Sequence, residues 1–331
     1  MSTPDFTRRF INLASPRLGA VVTAATDDFF ADKARLIDPA DPVFIVGKYD
    51  DNGKWMDGWE SRRKRTTGHD HCIIKLGQPG IIEGFNIDTS HFTGNFPPAA
   101  SIDVCSSDAD VPGSDADWQE LVAPTDLNGD SHHYIEARSE KPCTHLRLNI
   151  LPDGGIARLR VYGSFYKNWQ PADYENEIDL VAAENGGRPI VANNEHFGIL
   201  ANIMAPGRGI NMGDGWETRR RREPGNDWAI VALGHKGSVE GVVVDTAHFK
   251  GNFPSAISLQ AACVETGTDT SLPVQSQFWQ EILPKQPLTA DAIHEFREAV
   301  DVIGPVTHVR VNIYPDGGIS RLRLLGKLSA E

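Results

Sequence analysis

Three long stretches of this chain occur twice, in the same order. Asp57 to Arg65 (DGWESRRKR) returns as Asp214 to Arg222 (DGWETRRRR), with seven of nine positions identical. Glu83 to Pro97 (EGFNIDTSHFTGNFP) returns as Glu240 to Pro254 (EGVVVDTAHFKGNFP). Thr144 to Arg160 (THLRLNILPDGGIARLR) returns as Thr307 to Arg323 (THVRVNIYPDGGISRLR), with 13 of 17 identical. Ordered matches of this kind mean a duplicated domain. Two copies are too few for a solenoid, so each must bury a core of its own. The duplication also gives an internal comparison, because polar residues kept in both copies are the strongest candidates for function in a single sequence.

The offset between copies is 167 at Phe30 and Phe197, 157 at Asp57 and Asp214, 161 at Trp118 and Trp279, and 163 at His145 and His308. Insertions therefore sit between constant blocks, where surface loops are expected. The first copy carries ten additional residues around Asp41 to Met56 (DPVFIVGKYDDNGKWM), and the second gains a few before Trp279 and again before His308. The polar stretch Asn168 to Glu177 (NWQPADYENE) marks the boundary. Domain one is placed at residues 1–168, a linker at 169–178 and domain two at 179–331.

Periodicity within each copy is mostly two, bounded by Gly, Pro, Asn and Asp, which predicts short strands and an all-β sandwich. Leu146, Leu148 and Ile150 alternate with His145, Arg147 and Asn149; after Pro152-Asp153-Gly154-Gly155, Ala157, Leu159 and Val161 alternate with Arg158 and Arg160. This reads as an antiparallel hairpin whose apolar faces share one core, so its polar residues share one sheet surface. The second copy repeats the pattern with His308, Arg310, Asn312, Arg321 and Arg323. Leu288 to Val302 carries the best helical signal, with Thr289 near its start.

Composition excludes several functions. With 40% apolar residues and no apolar run near the roughly 18 residues of a membrane helix, a soluble globular protein without a membrane span is expected. The N-terminus lacks the apolar segment and cleavage site of a secretory signal, so a cytoplasmic location is the default. A formal net charge of −13 argues against a nucleic-acid partner, while a small anionic substrate is compatible with local basic residues. Cys72, Cys105, Cys143 and Cys263 include no C-x-x-C pair, so reduced thiols are expected rather than disulfides or a thiolate zinc site.

Three repeated blocks can carry chemistry. In DGWE[ST]RR, Glu60 stands beside Arg62 and Arg63, and Glu217 beside Arg219 and Arg220; the planar guanidinium fork suits a carboxylate ligand. The alternative is a loop whose charges neutralise one another, with Lys64, Arg65, Arg221 and Arg222 solvated. In the second block, Asp88 and His91 (Asp245 and His248) can supply acid–base groups, and Gly94-Asn95 (Gly251-Asn252) lets a loop approach a ligand. Otherwise Asp88 caps a turn and His91 is structural. The arginines of the third block, Arg147 and Arg158 with Arg310 and Arg321, bind either an anion or internal counter-charges. His69 and His71 resemble a metal pair, but Asn226 and Trp228 stand at their places in the second copy, which argues against a shared metal and leaves open one confined to the first copy; no cofactor is expected.

At these blocks, and over nearly the whole chain, the sequence closely resembles the allantoicase (allantoate amidinohydrolase) family. The ordered combination of DGWE[ST]RR, D-T-x-H-F-x-G-N-F-P and R-x-N-x-x-P-D-G-G-I-x-R is highly specific. The resemblance implies two tandem jelly-roll β-sandwiches of the galactose-binding-like type. It implies hydrolysis of allantoate to (S)-ureidoglycolate and urea in purine breakdown through allantoin. The expected site pairs the carboxylates and histidines of the first two blocks as acid–base groups with Arg62, Arg63, Asn95 and the third-block arginines, or their second-copy counterparts, as substrate ligands. Two sites, or one site built from complementary halves, are both compatible with the repeats, as is one copy retained as scaffold. The non-enzyme alternative is a tandem ligand-binding module. Sandwich faces bury well, so a homo-oligomer is also compatible with the sequence.

Overall fold

A computed structural model of the chain describes residues 3–330. Two compact units emerge, one built around Asn12–Tyr166 and the other around the chain from Lys167 onward. Each is a jelly-roll β-sandwich organised by one strand of 19 residues, Asp70–Asp88 in the first unit and Asp227–Asp245 in the second.

The length of that strand lets its two halves join different sets of partners. Residues 70–75 lie between Val21–Ala25 and Cys143–Leu151, and Ala99–Cys105 and Gln119–Asp126 continue outward from the latter. Residues 84–88 lie instead between His132–Glu136 and Arg158–Phe165. All of these pairs are antiparallel. The alternation of the long strand changes phase along the way: Cys72, Ile74, Leu76 and Ile82 are buried at even positions, and Phe85 and Ile87 at odd ones. A register shift opposite Tyr162 and Gly163 absorbs the extra residue, as a β-bulge does. Leu146, Leu148, Ile150, Leu159 and Val161 meet these side chains in the core, each fully buried.

The second unit repeats the plan. Arg188–Ala192, Val306–Tyr314, Ala256–Ala262 and Gln280–Pro287 extend from the first half of its long strand, and Ile293–Phe296 and Arg321–Leu328 flank the second. Among the described residues no helix is long and apolar enough to cross a membrane.

Two local expectations are corrected. Cys143–Leu151 and Arg158–Phe165 do not pair as a hairpin; they flank opposite halves of the long strand, so Arg147 and Arg158 do not share one sheet surface. The residues between them are diverted by a separate pairing, in which Gly155 and Ile156 oppose Glu60 and Trp59. The stretch 288–302 is not a helix. Ile293–Phe296 completes a sheet edge against residues 242–245, and the Thr289 backbone N–H donates to His294 Nε2 at 2.9 Å, closing a turn. Tertiary pairing overrides the local helical pattern there.

The repeated Pro-Asp-Gly-Gly is shaped by this diversion. Gly154 has φ +142°, a region that L side chains rarely occupy, and a Cβ on Gly155 would lie 2.0 Å from the Phe92 ring. The second copy shows the same at Gly317, with φ +132°, and at Gly318 against Phe249. Gly155→Ala is therefore expected to destabilise the first unit by about 2–3 kcal/mol through overpacking. Thermal unfolding checks this, and the cost should shrink in a Phe92→Leu background because the clashing ring is gone.

Candidate active site

All three repeated blocks meet at Glu60. The Trp59 indole is fully buried and donates Nε1–H to the Asp27 carbonyl at 2.8 Å, which anchors the short strand Trp59–Glu60. The Gly155 N–H donates to the Asn95 carbonyl at 2.8 Å, and the Ser61 N–H donates to the Gly154 carbonyl at 3.1 Å. Asn95 Nδ2 in turn donates to Glu60 Oε1 at 2.7 Å. The carboxylate, the amide that orients it and the glycines that admit both thus belong to one hydrogen-bonded assembly.

A connecting loop forms one wall beside it. Arg158, only 2% exposed, donates Nε–H to the Ala40 carbonyl, NH1 to the Asp57 and Ala157 carbonyls, and NH2 to Asp57 Oδ2 at 2.9 Å. Burial alone would raise the Asp57 pKa, but the hydrogen bonds from Arg158 and the Val43 N–H, with the guanidinium charge, leave it lowered. Arg160 donates to the carbonyls of Asp38, Pro39 and Ala40. Arg35 donates to the Met56 carbonyl. The result is a cavity of about 330 Å³ lined by Phe30, Lys54, Met56, Glu60, His91, Thr93, Gly94 and Asn95.

Two features of this cavity favour chemistry. Burial is the largest influence on Glu60 and raises its pKa above the ordinary glutamate value of 4.5, although the Asn95 hydrogen bond and the Lys54 charge oppose it. A half-buried carboxylate with raised proton affinity is a poised acid–base group. His91 holds a left-handed backbone, φ 69°, fixed by its N–H donating to Asp130 Oδ1 at 2.8 Å. Its Nε2 lies 3.1 Å from the Pro42 carbonyl, which assigns the proton to that nitrogen in the neutral ring.

The other first-copy candidates lie elsewhere. Buried Asp88 accepts from the Ser90 N–H at 2.8 Å, which is turn capping, and does not line the cavity. Arg62 is held by Asp27 at 2.7 Å, and Arg63 lies 3.8 Å from Asp153 with its side chain 76% exposed. Arg147 pairs with Asp103 at 2.8 Å and covers Trp118 on the other set of strands. Lys64 and Arg221 are not solvated: they pair with the buried Asp70 and Asp227 at 2.7 and 2.9 Å. His69 Nε2 lies 3.2 Å from Asn149 Oδ1, and no group of three or more metal-ligating His, Cys, Asp or Glu side chains occurs among the described residues.

Comparison with known proteins decides the family. A profile described as Allantoicase repeat matches residues 11–166 and 178–329. A protein of Burkholderia pseudomallei named Probable allantoicase 2 is 60% identical over 99% of this chain and 98% of its own length. The chain belongs to the allantoicase family. A Probable allantoicase of Ralstonia nicotianae is 58% identical over 99% of this chain and 97% of its own. The crystal structure of allantoicase from Saccharomyces cerevisiae superposes with a TM-score of 0.79 at 34% identity, covering 96% of this chain and 92% of that one. Allantoicase membership decides against the non-catalytic tandem module.

The second allantoicase repeat keeps part of the assembly. Asn252 Nδ2 donates to Glu217 Oε1, the Gly318 N–H donates to the Asn252 carbonyl, and His248, φ 70°, places Nε2 2.9 Å from the Gly209 carbonyl. Arg321 is buried against Asp214, as Arg158 is against Asp57. Three differences stand out. Asp245 caps the Ala247 N–H and also binds Arg208 at 3.0 Å. The Arg219 side chain pairs with Glu223 at 3.5 Å, and Arg220 is exposed. Arg310, 8% exposed, donates to Asn312 and Ser276 and covers Trp228; Gln260 stands across from it where Asp103 faces Arg147.

Sequence comparison missed Lys54, Met56, Phe30 and Thr93. The first two lie in the ten-residue length difference, whose signal was available but indicates only a loop.

Because the folded-state pKa of Glu60 is raised, the folded protein holds its proton more tightly than the unfolded chain. Stability therefore falls as pH rises from 4.5 through the raised value. Glu60→Gln removes the buried charge while keeping the Asn95 contact. Thermal unfolding across pH should show this variant at least as stable as the parent at neutral pH, with the two converging below pH 4.5; a deficit that grows with pH would contradict the electrostatic reading.

Proposed function

We propose that the first-repeat cavity is where this chain, an allantoate hydrolase, breaks the carbon–nitrogen bond that releases urea. The observation that carries the reading is the convergence of Glu60, Asn95 and His91 on one cavity, with Glu60 half-buried and its proton affinity raised. Allantoate bears a carboxylate and two ureido groups on one carbon, so its hydrolysis needs a base for water, a proton for the departing nitrogen and hydrogen-bonding groups for the ureas.

The roles follow from position. Ionised Glu60 takes a proton from water, whose oxygen becomes the hydroxyl of ureidoglycolate. The bond to one ureido nitrogen breaks, and that nitrogen receives a proton from His91. The donor in this step is the imidazolium: with Nε2–H directed at the Pro42 carbonyl, Nδ1 carries the second proton, and its transfer leaves the neutral ring protonated at Nε2. Return of the Glu60 proton to His91 closes the cycle. Asn95 orients the Glu60 oxygen through Nδ2, so its loss misaligns the base rather than removing it.

Purified Glu60→Gln and Glu217→Gln variants test the assignment through urea release from allantoate. General acid–base catalysis contributes on the order of 10²–10⁴-fold, so Glu60→Gln should lose at least about 10²-fold in kcat while Glu217→Gln stays near the parent. Equal losses would assign chemistry to both repeats, and loss only in Glu217→Gln would move it to the second. In the parent, kcat/KM should decline on the acid side with a midpoint above 4.5, because protonated Glu60 cannot accept from water.

A further inference from the structure

We propose that Lys54 is the receptor for the carboxylate of a carboxylate-bearing diureide in the first-repeat cavity. The inference rests on the reading of the first-repeat cavity as the hydrolytic site, and supplies what that reading lacks, a fixed positive charge beside Glu60.

The cavity needs such a charge. Allantoate is an anion, Glu60 must be ionised to act as a base, and the whole chain carries a net charge of −13. An anion entering beside a carboxylate is repelled unless a cation stands between or beside them. The arginines of the same block do not meet this need: Arg62 is engaged by Asp27, and Arg63 lies by Asp153. Arg158 and Arg160 spend their donors on the connecting loop. Among the residues lining the cavity, Lys54 alone carries a permanent positive charge.

Its setting suits a ligand rather than an internal partner. Lys54 lies on the small hairpin formed by Tyr49–Asp50 and Gly53–Lys54. Its Nζ lies 4.7 Å from the centroid of the Phe44 ring, and it forms no ion pair among the described residues. The hairpin is held at its base, where the Trp55 N–H donates to the Lys48 carbonyl and Lys48 Nζ sits 3.6 Å from the Trp55 ring centroid. The ammonium is thus presented beside an aromatic face in the same cavity as Glu60, with donors to spare for a carboxylate.

The second repeat lacks this device. Its corresponding connection is ten residues shorter, and the one basic residue between Ala205 and Asp214 is Arg208, whose guanidinium binds Asp245 at 3.0 Å. The second repeat therefore has no counterpart of Lys54 in that connection; the lysine next to its own histidine and amide is Lys250, which stands where the first repeat has Thr93. The extra residues of the first repeat, which look like a tolerated surface insertion, instead carry Lys54 to the cavity beside Glu60.

The test compares Lys54→Met and Lys54→Arg with the parent on two substrates, allantoate and its neutral primary amide, by urea release. Methionine keeps the unbranched stem, and equal thermal unfolding midpoints confirm that the hairpin is undisturbed. Lys54→Met should raise KM for allantoate by about 10–100-fold, the scale of a lost charge-assisted hydrogen bond. It should leave KM for the amide nearly unchanged, and Lys54→Arg should recover most of the preference for the anion. An unchanged ratio of kcat/KM between allantoate and its amide in Lys54→Met overturns the proposal. Glu60→Gln, measured alongside, separates the two readings. If it is inactive while Lys54→Met behaves as the parent, only the role of Lys54 fails; if it remains active, the hydrolytic site itself is elsewhere.

Discussion

The pairing of Glu60 and Trp59 with Gly155 and Ile156 is the contact on which the site depends. It brings together segments almost a hundred residues apart, and it is possible only because Gly155 lets the Phe92 ring approach where any side chain would collide. Once it forms, the chain leaving Leu151 cannot turn back as a simple hairpin. Cys143–Leu151 and Arg158–Phe165 are sent to opposite halves of the long strand, and the carboxylate of Glu60 is left at the rim beside Asn95. Strand topology and active-site geometry are therefore two consequences of one short pairing, repeated in the second unit by Trp216, Glu217, Gly318 and Ile319.

The arginines divide the labour differently from what a cationic motif suggests. Arg158 is nearly completely buried, and a buried guanidinium persists only where its donors are satisfied. Here one carboxylate and three backbone carbonyls do so, and the effect is to fix a loop that has almost no regular structure of its own. That loop carries Lys54 and Met56 to the cavity and presents the Pro42 carbonyl to His91. The buried charge thus serves the site at one remove, by positioning what touches the ligand.

Much of this was legible in the sequence, and the failures have specific causes. The alternation of Leu146, Leu148 and Ile150, and of Leu159 and Val161, gave the inward faces correctly because burial imposes a period of two on any strand. It could not say which strands are neighbours: two strands with matching inward faces fit equally well beside each other or beside the two halves of a third. Likewise, an arginine at an outward position can face water or the carbonyls of a covering loop, and the pattern is the same for both. Repetition found Glu60, Asn95 and His91 because both copies build the same framework. By the same logic it passed over Lys54, since comparing copies discards whatever distinguishes them. At 288–302 the apparent helix lost to the sheet edge beside residues 242–245, where hydrogen bonds to the neighbouring strand outweigh a local preference.

The central claim is that the first repeat of a duplicated sandwich holds the substrate, with Lys54 of its longer loop receiving the carboxylate. A crystal structure of the Glu60→Gln protein soaked with allantoate tests it most directly. The account predicts allantoate in the cavity of the first repeat, its carboxylate within hydrogen-bonding distance of Lys54 Nζ and its diureido carbon facing residue 60. Allantoate bound elsewhere, with that cavity empty of it, would contradict the account.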